Sequence, residues 1–69
     1  MHIRINGKTE DLAGVTEISV MDLLKSKGVE PRMVAVEVNS EMLEKEDYES
    51  RRLKEGDSVE FLYFMGGGV

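Results

Sequence analysis

Apolar and polar positions alternate at the start of the chain and again near residue 60, with one helical rhythm between them. Ile3 and Ile5 fall on one side of an extended segment, with His2 and Arg4 on the other. Asn6-Gly7 follows, a pair that accepts the positive φ angles of a tight hairpin turn. Residues from about 8 to 12 then read as the returning strand. Ser19 heads the clearest helix: its hydroxyl can cap a free N–H group, and Asp22 stands where a capping box places its acid. Val20, Leu23 and Leu24 share one face. Gly28 tolerates the left-handed backbone that ends a helix, and Pro31 discourages continuation, so the spacing predicts a helix over 20–27.

Beyond it, Met33 to Val38 reads as a strand with Val34, Val36 and Val38 on one face. Asn39-Ser40 is a turn. The mixed stretch Glu41 to Glu49 predicts a short edge strand and an irregular crossover, and Leu53 anchors the return. After a turn at Glu55-Gly56-Asp57, a last strand runs from Ser58 to Phe64, with Val59, Phe61 and Tyr63 on one face. Two strands, one helix and further strands predict an α+β fold: a mixed sheet of four to five strands packed on one main helix. If Val59, Phe61 and Tyr63 turn toward the helix, Leu62 and Phe64 face outward beside Met33 and Ala35. An exposed apolar patch of that kind marks a protein contact.

Composition narrows the function classes. A chain of 69 residues is one small domain, with little room for a deep catalytic cleft. It has no cysteine, which removes disulfides, thiolate metal sites and cysteine nucleophiles together, and favours a cytoplasmic protein. No apolar run is long enough for a membrane span, and the first residues lack the apolar core of a signal peptide. A formal charge of -5 disfavours nucleic acid and anionic membranes and fits a partner with a basic surface.

Few residues offer chemistry of their own. His2 is the single histidine and has no companion ligands in the sequence. Glu41, Glu44, Glu46, Asp47 and Glu49 do not have the spacing of a calcium loop and read as a solvated acidic face, suited to steering a basic partner. The methionines are scattered packing residues, and no metal or cofactor motif is present. Gly66-Gly67-Gly68-Val69 is the one low-complexity segment, and no Lys-Ser/Thr pair follows it as a phosphate loop would need.

Ile5-Asn6-Gly7, Val20-Met21-Asp22-Leu23-Leu24, Gly28, Pro31, Val34-Ala35-Val36-Glu37-Val38-Asn39, the run Leu53 to Phe61 and the glycines occur together in this order. This combination resembles the ThiS family, sulfur carriers of thiamine biosynthesis with the β-grasp (ubiquitin-like) fold. The small subunit of molybdopterin synthase, on the same fold, also ends in Gly-Gly. The Val34 to Asn39 strand favours the thiamine branch.

The resemblance implies a β-grasp domain over 1–65 and a flexible glycine tail over 66–69. It implies a carrier used as a protein cosubstrate, not an enzyme, with no cofactor of its own. An ATP-dependent activating enzyme would adenylate the terminal glycine carboxylate, sulfur would replace the adenylate, and a thiazole synthase would consume the thiocarboxylate. The glycine in that role is Gly68, with Gly67 and Gly66 behind it, and Val69 must first be removed by a trimming protease. Glycine suits the task because it lets backbone approach a nucleotide closely. Extended, Gly66 to Gly68 span roughly 10 Å, enough to enter a partner's crevice. The alternatives are sulfur delivery to molybdopterin or another metabolite, and transfer of the activated tail to lysine as a ubiquitin-like modifier.

Overall fold

The computed structural model describes residues 1–64. The expected tail, 66–69, lies outside the described residues, as does Met65.

Strands β1 (His2–Ile5) and β2 (Lys8–Asp11) form an antiparallel hairpin in which Ile5 faces Lys8 and His2 faces Asp11. Its turn places Asn6 at φ 51° and Gly7 at φ 83°, which is why an Asn-Gly pair occupies it. The returning strand stops at Asp11, one residue short of the expected 12. Leu12 instead donates its N–H to the Met1 carbonyl at 2.7 Å.

A two-residue strand β3 (Ile18–Ser19) leads into helix α1 (Val20–Ser26). Each of the first three helical N–H groups, which have no partner within the helix, is satisfied. Val20 donates to the Arg51 carbonyl at 3.0 Å and Met21 to the Tyr48 carbonyl at 2.9 Å. Asp22 donates to the Ser19 Oγ at 3.0 Å. At the other end Lys27 is the cap and Gly28 turns left-handed at φ 70°. Gly28 N–H then reaches the Lys25 carbonyl and Val29 N–H the Leu24 carbonyl, the paired bonds of a Schellman ending. The helix thus stops one residue before the expected 27.

Pro31–Met33 forms a single 3-10 turn, and strand β4 begins only at Val34, running to Val38. Met33 is therefore not a strand residue: Pro31 fixes the backbone in a tight turn through that position. The edge strand β5 is two residues long, Glu41–Met42, and a second 3-10 turn spans Lys45–Asp47. Strand β6 (Arg52–Leu53) then pairs with β3, placing Leu53 opposite Ile18. This small second sheet was not expected from the sequence. The last strand, β7, covers Ser58–Tyr63.

Among the described residues the main sheet has five strands in the order β2-β1-β7-β4-β5. β7 lies in the middle, parallel to β1 and antiparallel to β4. This mixed sheet covered on one face by one helix is the β-grasp arrangement. The core between them joins Ile3, Ile5, Val34, Val36, Val38, Val59 and Phe61 from the sheet with Val20, Leu23 and Leu24 from the helix. Tyr48 and Leu53 complete it from the crossover.

Two side chains depart from expectation. Tyr63 should continue the inward row of Val59 and Phe61, yet it is 56% exposed. Phe61 is still buried beyond the end of β1, but Tyr63, two residues farther on, stands opposite Val34 in the last pair of the β4–β7 ladder, at the end of the sheet. Tyr48, set in a polar stretch, is buried, with its hydroxyl donating to the Val34 carbonyl at 3.3 Å. Burial pushes the Tyr48 hydroxyl above its ordinary pKa.

Candidate functional site

The central strand leads toward the glycine-rich segment, and side chains fix its start and its middle. At its start, Asn39 sits at φ 50° and accepts the Ser58 N–H on its Oδ1 at 2.9 Å. The Asn39 amide also donates to Asp57 Oδ1 at 3.0 Å, and the other Asp57 oxygen accepts the Lys54 N–H at 2.8 Å. Further along, the hairpin turn removes β1 as a ladder partner. Asn6 takes over: its Oδ1 accepts the Phe61 N–H at 2.7 Å. The sequence marks Asn6 and Asn39 as turn residues only. Their polar side chains in left-handed turns are the signal that they also serve as ladder partners.

Val59 and Phe61 point into the core, so Glu60 and Leu62 occupy the opposite face of the sheet. Leu62 stands directly across from Ala35, and Phe64 donates its N–H to the Met33 carbonyl at 3.1 Å. The expected patch residues are thus neighbours. Leu62 is 41% exposed, Phe64 48% and Met33 38%, while Ala35 is half-buried. Lys45 borders this group, with its ammonium 5.1 Å from the centre of the Phe64 ring and 3.4 Å from the Val34 carbonyl oxygen. A cation over an aromatic face at that range is attractive and holds the ring of the last described residue before the tail. Gly66, Gly67 and Gly68 themselves lie outside the described residues.

His2 belongs to a different surface. Its ring nitrogens lie 3.4 Å from Glu55 and 3.8 Å from Asp11, all three side chains being well exposed. The Glu55 carboxylate also accepts the His2 backbone N–H at 2.8 Å, which holds Glu55 below its usual pKa. Glu41, Glu44, Glu46, Asp47 and Glu49 are all exposed, and Glu41 pairs with Arg51 at 3.0 Å. Among the described residues no three histidine or carboxylate groups converge as a metal site would require.

The ThiS family profile matches residues 3–68. The chain belongs to the ThiS family.

Its relatives within and around that family are informative. It is 36% identical over 66 residues to the sulfur carrier protein ThiS of Bacillus subtilis, covering 96% of this chain and 98% of that one. It is 37% identical over 68 residues to a thiazole synthase of Paramagnetospirillum magneticum. There the match covers 99% of this chain but only 20% of the synthase, so the chain spans about a fifth of that relative's length. Among solved structures, the crystal structure of a thiamine biosynthesis protein (ThiS) from Geobacter metallireducens superimposes with a TM-score of 0.88 at 43% identity. That match covers 99% of this chain and 100% of the other. The ThiS match extends through the glycines to Gly68.

Proposed function

We propose that this chain is the sulfur carrier of thiamine biosynthesis, acting in the cytoplasm through a thiocarboxylate formed at Gly68. The observation that carries the reading is a ThiS match running through residue 68, joined to an apolar face that ends at Phe64. The body supplies a grip and the tail supplies the reacting group, so the chain is a substrate that is used and regenerated.

The steps balance as follows. After a protease removes Val69, a Gly68 carboxylate oxygen attacks the α-phosphorus of ATP, forming the acyl adenylate and releasing pyrophosphate. A sulfur nucleophile at the sulfide level then forms a C–S bond at the acyl carbon, and AMP leaves with the C–O bond electrons. The thiocarboxylate sulfur bonds to the thiazole precursor on a thiazole synthase. An oxygen of water or of that precursor then forms a C–O bond at the acyl carbon as its C–S bond breaks, so the sulfur stays with the thiazole and the carboxylate returns. Gly68 stands four residue steps beyond Phe64, so its acyl carbon lies at most about 16 Å from the Phe64 Cα. A partner holding that carbon therefore contacts the surface around Met33, Ala35, Leu62 and Phe64. Burial of this patch, exposed at Met33, Leu62 and Phe64, supplies the affinity.

Intact-mass analysis tests this with an activating enzyme, ATP and a sulfide donor. A form ending at Gly68 is expected to gain the mass of one oxygen-for-sulfur exchange, while a form retaining Val69 stays unchanged. No gain in either form refutes the proposal. Covalent adducts on lysines of other proteins, in place of the mass gain, would show a modifier.

A further inference from the structure

The outer face of the sheet is not uniformly apolar. Glu37 on β4 stands directly opposite Glu60 on β7. Both occupy the face that the buried Val36, Val38, Val59 and Phe61 leave outward, with Glu37 half-buried and Glu60 exposed. Like charges facing each other across two strands destabilise a sheet. Five other glutamates, Glu10, Glu17, Glu30, Glu41 and Glu55, each lie against a cationic or histidine side chain. Among the described residues the exposed Glu44, Glu46 and Glu49 of the crossover do not, and none of these eight faces a second carboxylate across paired strands. Among the described residues, neither Glu37 nor Glu60 has such a partner. Arg4 is on the same face of the adjoining strand, but its guanidinium reaches the Gly7 carbonyl instead.

The pair is also continuous with the patch. It lies one step along the strands, about 7 Å, from the Ala35–Leu62 pair, on the side away from Phe64. The face therefore reads in order: two carboxylates, an apolar centre, then the Phe64 ring with the Lys45 ammonium beside it. Such an order of charge makes the two ends of the face unequal. A complementary partner docks in one orientation, the one that delivers the tail side to its crevice.

We propose that the Glu37–Glu60 pair is the charge-selective element of this docking face and receives an arginine from the thiazole synthase that takes the tail. The inference rests on the docking reading given above. Two carboxylates side by side match a guanidinium, whose planar fork of donors can bridge them where a lysine offers a point charge. Docking brings the cation and relieves the repulsion at once, and the net charge of -5 draws a basic surface from a distance.

The test measures binding of the full chain to the thiazole synthase of its own organism at low and high salt. The double variant E37Q/E60Q is expected to bind about tenfold more weakly or worse at low salt, with a flatter salt dependence. The free variant should melt at a higher temperature than the parent, because the cross-strand repulsion is gone. In parallel, L62S/F64S should weaken binding while keeping the parent's salt dependence. If L62S/F64S weakens binding but E37Q/E60Q loses less than about tenfold, the carboxylate assignment is wrong and the docking face stands. If L62S/F64S binds as the parent does, or the parent does not bind, the docking reading fails and this inference with it.

Discussion

Asn6 does two jobs in one residue, and replacing it separates them. Its backbone holds φ 51° in the hairpin turn, and its side-chain oxygen accepts the Phe61 N–H at 2.7 Å. Asn6→Ala loses both. The left-handed backbone costs a residue with Cβ roughly 1–2 kcal/mol when no polar side chain compensates. The Phe61 N–H, part-buried and without another partner, adds about 1–3 kcal/mol for an unsatisfied donor. The sum is about 2–5 kcal/mol, a large share of the stability of a domain this small. Asn6→Asp keeps an acceptor oxygen and tolerates the same backbone region, so its loss should stay near 0.5 kcal/mol. Urea unfolding at neutral pH reads both. With a slope of about 1 kcal/mol per molar, the alanine variant should shift the midpoint by about 2 M or more, and its Phe61 amide should exchange hydrogen faster. A loss below about 1 kcal/mol for alanine, or equal losses for alanine and aspartate, would refute the ladder-partner role.

Two further changes probe the start of the helix and the crossover. Ser19→Ala removes the oxygen that accepts the Asp22 N–H and should cost about 1 kcal/mol in the same urea assay; Ser19→Asp should restore most of it. Tyr48 has its pKa raised by burial, so the unfolded chain ionises first as pH rises. Stability from this group is present below the ordinary tyrosine value of about 10 and falls as pH climbs from there toward the folded value. Tyr48→Phe should therefore be weaker than the parent at neutral pH, having lost the bond to Val34, yet lose less between about pH 9 and 11. Parallel alkaline slopes in urea unfolding would show that burial does not disfavour the phenolate.

The elements that can be read from the sequence are those whose cause is local. The Asn-Gly turn, the Ser19 cap with its apolar face, Gly28 and the alternating Val34 to Val38 each act within a few residues. The β3–β6 pair is different. It is two residues per strand, and the Ile18–Leu53 contact joins positions far apart in the chain, with no run long enough to alternate. Tyr48 is legible only as an aromatic in acidic surroundings; its burial comes from the crossover passing over β4. Tyr63 obeys the alternation of its strand and is still exposed, because it falls in the last pair of the β4–β7 ladder, at the end of the sheet. The patch residues could be inferred from one alternation, that of β7 against β4, once their pairing was assumed. The Glu37–Glu60 opposition depends on the register of that pairing, which spacing alone does not set.

The placement of β7 between β1 and β4 has a consequence for how the chain is made. A ribosome releases the two hairpins first, yet neither has its shared neighbour until residues 58–63 emerge. The partial chain is a pair of open sheet edges with an amphipathic helix, and the core closes only when the strand that adjoins the tail arrives. Long-range pairing of this kind makes folding wait on the slowest contact. Completion of the body thereby waits on the strand that leads into the glycine-rich segment, so a chain cut before residue 58 has neither a closed core nor the apolar face of Leu62 and Phe64.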